Sequence, residues 1–218
     1  MMGGFDLGSF IQTVCIWAIP VLFAITVHEA AHGYVARHFG DDTASRLGRI
    51  SLNPVRHIDP IGTVVLPMAL LALGGFLFGW AKPVPVDFGK LRNPKRDMLW
   101  VAAAGPGSNF AMAIVWALLM KVALGLEGFS LQEPMFLMGQ AGVTINLSLM
   151  VLNLLPLPPL DGGRILVSLL PHRQAELVSR IEPYGFFILI ALLATNLLTA
   201  IMNPLMKIAA LPIMFILH

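Results

Sequence analysis

Five almost uncharged runs, each of about twenty residues or more, divide the sequence and are long enough to cross a lipid bilayer as helices. These runs are residues 7–27, 61–81, 98–126 (interrupted by Lys121), 134–160 and 183–206. A further apolar stretch, 208–217, is too short to cross a membrane alone. Only 12 % of the 218 residues are charged, about half the fraction found in soluble domains. The sequence therefore predicts an all-α polytopic membrane protein with about four to six transmembrane helices.

The composition also argues against disordered and nucleic-acid-binding proteins. Disordered chains combine low hydrophobicity with a high net charge, whereas 57 % of these residues are hydrophobic and the formal net charge is +2. A net charge this small gives no reason to expect a nucleic-acid partner. The single cysteine, Cys15, cannot form an intrachain disulfide, and we expect it to pack as a small apolar side chain in the core.

The charges between the apolar runs predict how the chain is oriented in the membrane. Three segments are rich in lysine and arginine, namely 37–60, 82–97 and 161–182. Segment 127–133 instead has two glutamates and no basic residue. The positive-inside rule places the three basic segments in the cytoplasm. Both ends of the run 61–81 then lie inside, so we expect this run to form a re-entrant, partly β-like segment; an ordinary span that violates the charge rule is the alternative.

A His-Glu-x-x-His motif at the end of the first apolar run indicates a metal site. His28 and His32 are about one helical turn apart, so both project from one face of the predicted helix and can bind one ion. Neutral imidazoles suit Zn²⁺, and Glu29 beside them can take a proton from a water molecule. A helix end whose polar side chains only face water is the alternative, although ionisable groups beside an apolar span are rare without a function.

A hydrolytic zinc site needs a third protein ligand at a matching depth, and Asp161 is the best candidate. It follows the uncharged run 134–160, and the prolines just before it end a helix and favour extended backbone. Cys15 is more than three helical turns from His28 and is therefore a poor candidate. An aspartate followed by two glycines is also a common turn, and this alternative stays open at the level of the motif.

Four other polar residues have roles that the sequence leaves open. Asn109 and Asn146 lie in apolar runs, where we expect them to form hydrogen bonds between helices. His57 and Asp59 either form a pair that supports or gates the metal site or belong to an ordinary loop at the membrane interface.

Several of these elements together resemble the site-2 proteases, which are intramembrane zinc metalloproteases that cut membrane-spanning substrates. The resemblance is based on the motif at 28–32, Gly-Pro-Gly-Ser-Asn at 105–109 and the Asn-to-Asp-Gly element at 153–162, which occur in the family's order. The linking stretches 48–60 and 79–86 resemble the short bacterial branch of the family in particular.

The resemblance implies a set of roles for the candidate site residues. His28, His32 and Asp161 correspond to the ligands of one zinc ion per chain, and Glu29 corresponds to the general base. Asn153 matches a family asparagine that helps to hold the substrate or the developing oxyanion. The resemblance also implies a catalytic core of three helices with an edge-like segment near the active site.

The expected protein is a single integral-membrane metalloprotease domain over residues 1–218, without the PDZ or CBS modules of larger relatives. It would lie in the bacterial inner membrane with its active site toward the cytoplasm. Its partners would be the lipid bilayer and transmembrane proteins or peptides, which it would cut within or near their membrane segments. Because a substrate helix must unwind before cleavage, we expect residues 83–86 to receive the unwound chain as an added strand.

Two other functions remain as alternatives to a protease. A metal-binding transporter or channel could use the same ligands, although transporters usually have repeated halves and charged residues near the membrane midplane. A di-iron oxidase or desaturase would need more than the single close pair of histidines that this sequence contains. The sequence does not reveal the substrate, the regulatory partners or the oligomeric state.

Overall fold

A computed structural model describes residues 7–65, 69 and 81–217 of the chain. The regular structure in these residues is helical, and residues 81–87 are irregular. Short turns of 3₁₀-helix form at Pro54–Arg56 and Phe88–Lys90, and a turn of π-helix forms at Pro60–Val65. The α-helices are α1 (Leu7–His38), α2 (Thr43–Arg46), α3 (Pro94–Leu124), α4 (Gln132–Asn153), α5 (Asp161–Leu169), α6 (His172–Ser179), α7 (Glu182–Ala194) and α8 (Leu197–Leu217).

Four of these helices are long and apolar enough to cross a membrane, namely α1, α3, α4 and α8. The short helices α6 and α7 meet at an angle of 59° and could together form a fifth, broken span. These helices confirm the prediction of an all-α polytopic membrane protein.

The prediction of one span at 183–206 is wrong. The backbone of Asn196 has a φ of 59°, a left-handed conformation that asparagine adopts more readily than most residues, and it separates α7 from α8. The stretch 208–217 is consequently the second half of α8, and Lys207 is an exposed residue in the middle of that helix. Cys15, expected in the core, is exposed on α1.

The core consists of α1, α3 and α4, each of which contacts the other two, and α8 packs against α3 and α4. Two glycines let α4 approach α3 closely. A Cβ on Gly142 would lie 2.2 Å from Cγ of Trp116, and a Cβ on Gly139 would lie 2.4 Å from Cγ of Met120. The apolar centre of this packing is made by Ala113, Ala117, Leu147 and Ile213.

The run 61–81 lies largely outside the described residues, and its predicted re-entry into the membrane lies there too. At its beginning, Asp59 Oδ1 accepts hydrogen bonds from the backbone N–H groups of Ile61 and Gly62, at 3.1 and 2.7 Å. Asp59 therefore stabilises the start of the turn at Pro60–Val65. Residues 81–87, which follow the run, form no paired strand with any other part of the described chain.

Candidate metal centre

The histidine pair lies inside α1, which extends to His38, well past the apolar run. His28 and His32 are only 7 % and 8 % exposed, and their Nε2 atoms are 3.1 Å apart. The other ring nitrogen of each histidine faces α3. Nδ1 of His28 is 2.6 Å from Oδ1 of Asn109, and Nδ1 of His32 is 2.7 Å from the carbonyl oxygen of Val101. The two Nε2 atoms are therefore the ones left to bind a metal.

Asp161 begins α5 and brings a carboxylate to the same place. Its Oδ2 lies 3.2 Å from Nε2 of His28 and 3.3 Å from Nε2 of His32. The glycine that follows makes this approach possible, because a Cβ on Gly162 would lie 2.3 Å from the carbonyl oxygen of Leu155. The first turn of α5 consequently packs directly against the chain that leaves α4. The Asp-Gly-Gly sequence is thus a helix start at the metal centre.

The three side chains fit a zinc ion. They are the one group of three or more potential ligands in the described residues, and their ligand atoms lie within 4.8 Å of one another. Tetrahedral zinc with bonds of about 2.0–2.1 Å separates its ligand atoms by about 3.3 Å, close to the separations found here. Oδ2 of Asp161 is buried and has no hydrogen-bond partner. A Cβ on Gly105 would lie 2.5 Å from Nε2 of His32. Any larger residue here would therefore occupy the space beside the ligand atoms.

The electrostatics of the centre favour an ionised Asp161. Burial by itself raises the pKa of this carboxyl, but the imidazoles of His28 and His32, when they are protonated, outweigh that effect and lower the pKa below its ordinary value. Positive charge at the centre thus favours the carboxylate form, which a metal ligand must have.

Glu29 is half-buried beside the histidines, and its carboxylate is bound by irregular backbone. Its Oε2 accepts a hydrogen bond of 2.7 Å from the backbone N–H of Val84. Both residues border a cavity of about 120 Å³ that also contains the metal-binding side chains. The other residues that line this cavity are Pro83, Val86, Asn153, Pro159 and Arg164. The structure thus places the stretch 83–86 next to the candidate metal centre.

Hydrogen bonds to the Arg49 and Asp41 side chains and to the His57 carbonyl group hold the ends of the segment 82–87. The N–H of Lys82 donates to the carbonyl oxygen of His57 at 2.9 Å, and Arg49 donates to the carbonyl oxygen of Lys82 at 2.8 Å. At the other end, the N–H of Asp87 donates to Oδ2 of Asp41 at 2.6 Å. The stretch 83–86 is consequently held at both ends, and it lies beside Glu29.

Asn153 is the last residue of α4 and lines the cavity with the metal ligands, where the family resemblance locates it. Its Nδ2 donates to the carbonyl oxygen of Leu149, one turn earlier in α4, at 3.0 Å.

His57 is buried, and its Nε2 forms a hydrogen bond of 2.9 Å with the carbonyl oxygen of Ser51. Of the two interpretations that the sequence left open, the pair with Asp59 is not formed, because the Asp59 carboxylate caps the neighbouring turn.

The expected hydrogen bonds between helices are confirmed for Asn109 and Asn146, whose side chains meet at 2.9 Å. The direct contact of Asn109 with His28 is an additional role that the sequence analysis missed. A signal for it exists, because Asn109 lies four residues after Gly105 and therefore on the same face of α3. Recognising that face as the wall of the metal centre requires the packing of α3 on α1.

A larger cavity of about 580 Å³ adjoins the metal centre. The two cavities share Pro83, Val84, Val86 and Arg164. Side chains of α5 and α6, including Val167 and Ala175, also line the larger cavity.

Comparison with known proteins identifies the family. Residues 129–196 match the family model described as "Peptidase family M50". The "Putative zinc metalloprotease YwhC" of Bacillus subtilis is 38 % identical over 194 residues, which cover 87 % of this chain and 84 % of that protein. No solved structure matches this chain.

Two mycobacterial relatives support the same assignment. The "Putative zinc metalloprotease Rip2" of Mycolicibacterium smegmatis is 30 % identical, covering 86 % of this chain and 68 % of that protein. Its namesake in Mycobacterium tuberculosis is 34 % identical, covering 85 % and 66 %. The chain therefore belongs to peptidase family M50, the site-2 proteases, and is a multi-pass membrane metalloprotease whose cofactor is zinc.

Proposed function

We propose that this protein hydrolyses peptide bonds within or next to the transmembrane segments of membrane proteins and membrane-embedded peptides. We further propose that it works in the bacterial inner membrane, with its active site open to the cytoplasm. The observation that supports this function is the convergence of two histidines, one aspartate and one glutamate among membrane-spanning helices. The basic segments 37–60, 82–97 and 161–182 adjoin the end of α1, the beginning of α3 and the chain that follows α4, which supports the cytoplasmic orientation.

In this mechanism His28, His32 and Asp161 hold the zinc. When bound, zinc supplies Lewis acidity that makes a water molecule more acidic and polarises the scissile carbonyl. Glu29 accepts the proton of the attacking water at its carboxylate and delivers it to the leaving nitrogen. The hydrogen bond from Val84 N–H keeps that carboxylate beside the ligands before substrate arrives.

The stretch 83–86 is suited to receive an unwound substrate in a single register. Pro83 and Pro85 have no N–H, and Val84 N–H is bound to Glu29. Between Lys82 and Asp87, the backbone N–H of Val86 is therefore the one available to pair with a substrate. In an extended chain alternate residues face the same edge, so Val86 N–H faces the side on which Glu29 lies. A substrate strand that pairs there would run alongside the metal centre.

The larger cavity gives this substrate room beside the strand. Its walls at Val84, Val86, Val167 and Ala175 are apolar, as a segment drawn from a membrane helix requires. Arg164 borders both cavities and adds a positively charged residue to their lining. Asn153 lines the smaller cavity, and its amide has a second N–H besides the one that bonds Leu149. This second N–H would hold the substrate backbone or the developing oxyanion.

The test is cleavage of single-span membrane proteins by the full chain reconstituted in lipid vesicles. Glu29→Gln keeps the shape of the side chain but removes the base, so cleavage should fall about 10²- to 10⁴-fold while bound zinc is retained. Glu176→Gln, the same change at an exposed glutamate of α6, is the matched control and should cut at the wild-type rate. Mass spectrometry of the products should locate the cut within or next to the membrane segment.

Two results would contradict the proposed function. One is a Glu29→Gln variant that cleaves as fast as the wild type. The other is ion flux through the same vesicles that His28→Ala abolishes and Glu29→Gln preserves, which is the behaviour of a metal-dependent transporter.

A further inference from the structure

We infer that Asn109 is a positioning residue of the metal centre, which holds His28 in the tautomer whose Nε2 is free to bind the metal. This inference rests on the proposed role of His28 as a zinc ligand. Its basis is the contact of 2.6 Å between Nδ1 of His28 and Oδ1 of Asn109. Either ring nitrogen of a neutral histidine can hold the proton, so the chemistry of the neighbouring amide decides which one does.

The orientation of the Asn109 amide follows from its other partners. Its Nδ2 lies 3.2 Å from the carbonyl oxygen of Ala24 and 2.9 Å from Oδ1 of Asn146. Asn146 is fixed in turn, because its Nδ2 donates to the carbonyl oxygen of Gly142 at 2.8 Å. Carbonyl oxygens only accept hydrogen bonds, so both amides must present nitrogen to them. The oxygen of Asn109 is therefore the atom that faces His28.

An amide oxygen beside Nδ1 requires that this nitrogen holds the proton. Nε2 of His28 is then an unprotonated lone pair, which is the form that binds a metal. His32 is held in the same tautomer by the carbonyl oxygen of Val101. Both Nε2 atoms and Oδ2 of Asp161 thus meet as three electron pairs 3.1–3.3 Å apart without a proton between them, an arrangement that a cation stabilises.

The burial of the network explains why the amides matter. Asn109 and Asn146 are both 0 % exposed and lie in apolar helices, where an unpaired amide is costly. A purely structural role would be to join α1, α3 and α4 by hydrogen bonds. That role predicts equal consequences for the loss of either amide. A positioning role predicts that only the amide touching His28 affects the metal.

The experiment measures the zinc dissociation constant of the detergent-solubilised full chain by competition with a chromophoric chelator. Asn109→Ala removes the acceptor for His28 and should weaken zinc binding about 10- to 100-fold. Asn109→Asp keeps an oxygen acceptor for His28 but loses the amide donor toward Ala24 and Asn146, so its zinc affinity should exceed that of Asn109→Ala. Asn146→Ala is the matched control: the Ala24 carbonyl still orients Asn109, so zinc affinity should stay unchanged while thermal stability falls.

Nitrogen-15 NMR of labelled histidines supplies a second readout, since the wild type and Asn109→Asp should show the Nδ1–H tautomer for His28 in the metal-free protein. The inference is overturned if Asn109→Ala binds zinc as tightly as the wild type, or if Asn146→Ala weakens zinc binding equally. A wild-type protein that binds no zinc would instead contradict the proposed metal site itself. The two failures are therefore distinguishable.

Discussion

Gly105 is the residue at which the smallest substitution should disrupt the metal centre. A methyl group there would lie 2.5 Å from Cε1 of His28 and from Nε2 of His32, so Gly105→Ala should displace both imidazoles and abolish stoichiometric zinc binding. The clash also costs stability, by about 1–3 kcal/mol as at other overpacked sites, and this offsets the gain of about 1 kcal/mol from replacing a helical glycine. The variant should therefore still fold while it loses its zinc. Metal analysis of the purified protein, together with its melting temperature, checks this expectation.

Gly107→Ala is the control for that substitution. It makes the same change two residues later in α3, where a Cβ would meet nothing within 4 Å. This variant should retain one zinc ion per chain. Equal zinc contents in the two variants would show that Gly105 does not border the ligands as described.

The candidate site was only partly predictable from individual residues. The spacing of His28 and His32 places both on one helix face whatever the helix packs against, and Asp161 follows from the need for a third ligand at equal depth. The partners of the two Nδ1 atoms depend on how α3 crosses α1. Sequence spacing does not contain that information, and Val101 contributes through a backbone oxygen that no residue type would reveal.

At the level of the helices, the close packing of α4 against α3 should depend on the small size of Gly142. Its Cβ would lie 2.2 Å from Cγ of Trp116, an atom close to the backbone that cannot move without shifting the indole. Gly142→Ala should therefore destabilise the protein by about 1–3 kcal/mol and alter the fluorescence of Trp116. Gln140→Ala, at an exposed position of α4, should do neither. Identical melting curves for both variants would contradict this account of the helix crossing.

The helices were predictable to different degrees. A helix that crosses a bilayer must be apolar along its length, and this requirement identified α1, α3 and α4 from their uncharged runs. The same criterion failed for 183–206, because the left-handed backbone of Asn196 interrupts a stretch whose composition shows no break. Composition also could not show that Lys207 falls in the middle of α8, since the beginning of that helix depends on this turn.

For the whole molecule, the antiparallel order of α3 and α4 places residues 125–131 at the opposite end from the metal centre. In a Cys15→Ser background, a cysteine replacing Ser130 should react with a membrane-impermeant maleimide in intact cells. A cysteine replacing Gln174, on α6, which borders the larger cavity, should react only after the membrane is permeabilised. The reverse pattern would place the active site on the outer face.

The assembly of one zinc site by helices far apart in the sequence is the central claim, and X-ray absorption at the zinc edge tests it most directly. The purified full chain should contain one zinc with nitrogen and oxygen neighbours at about 2.0–2.2 Å, including the scattering signature of two imidazoles. Asp161→Ala should remove one oxygen neighbour or release the metal. Zinc with a sulfur neighbour, or a spectrum unchanged by substitution of both His28 and Asp161, would contradict the account.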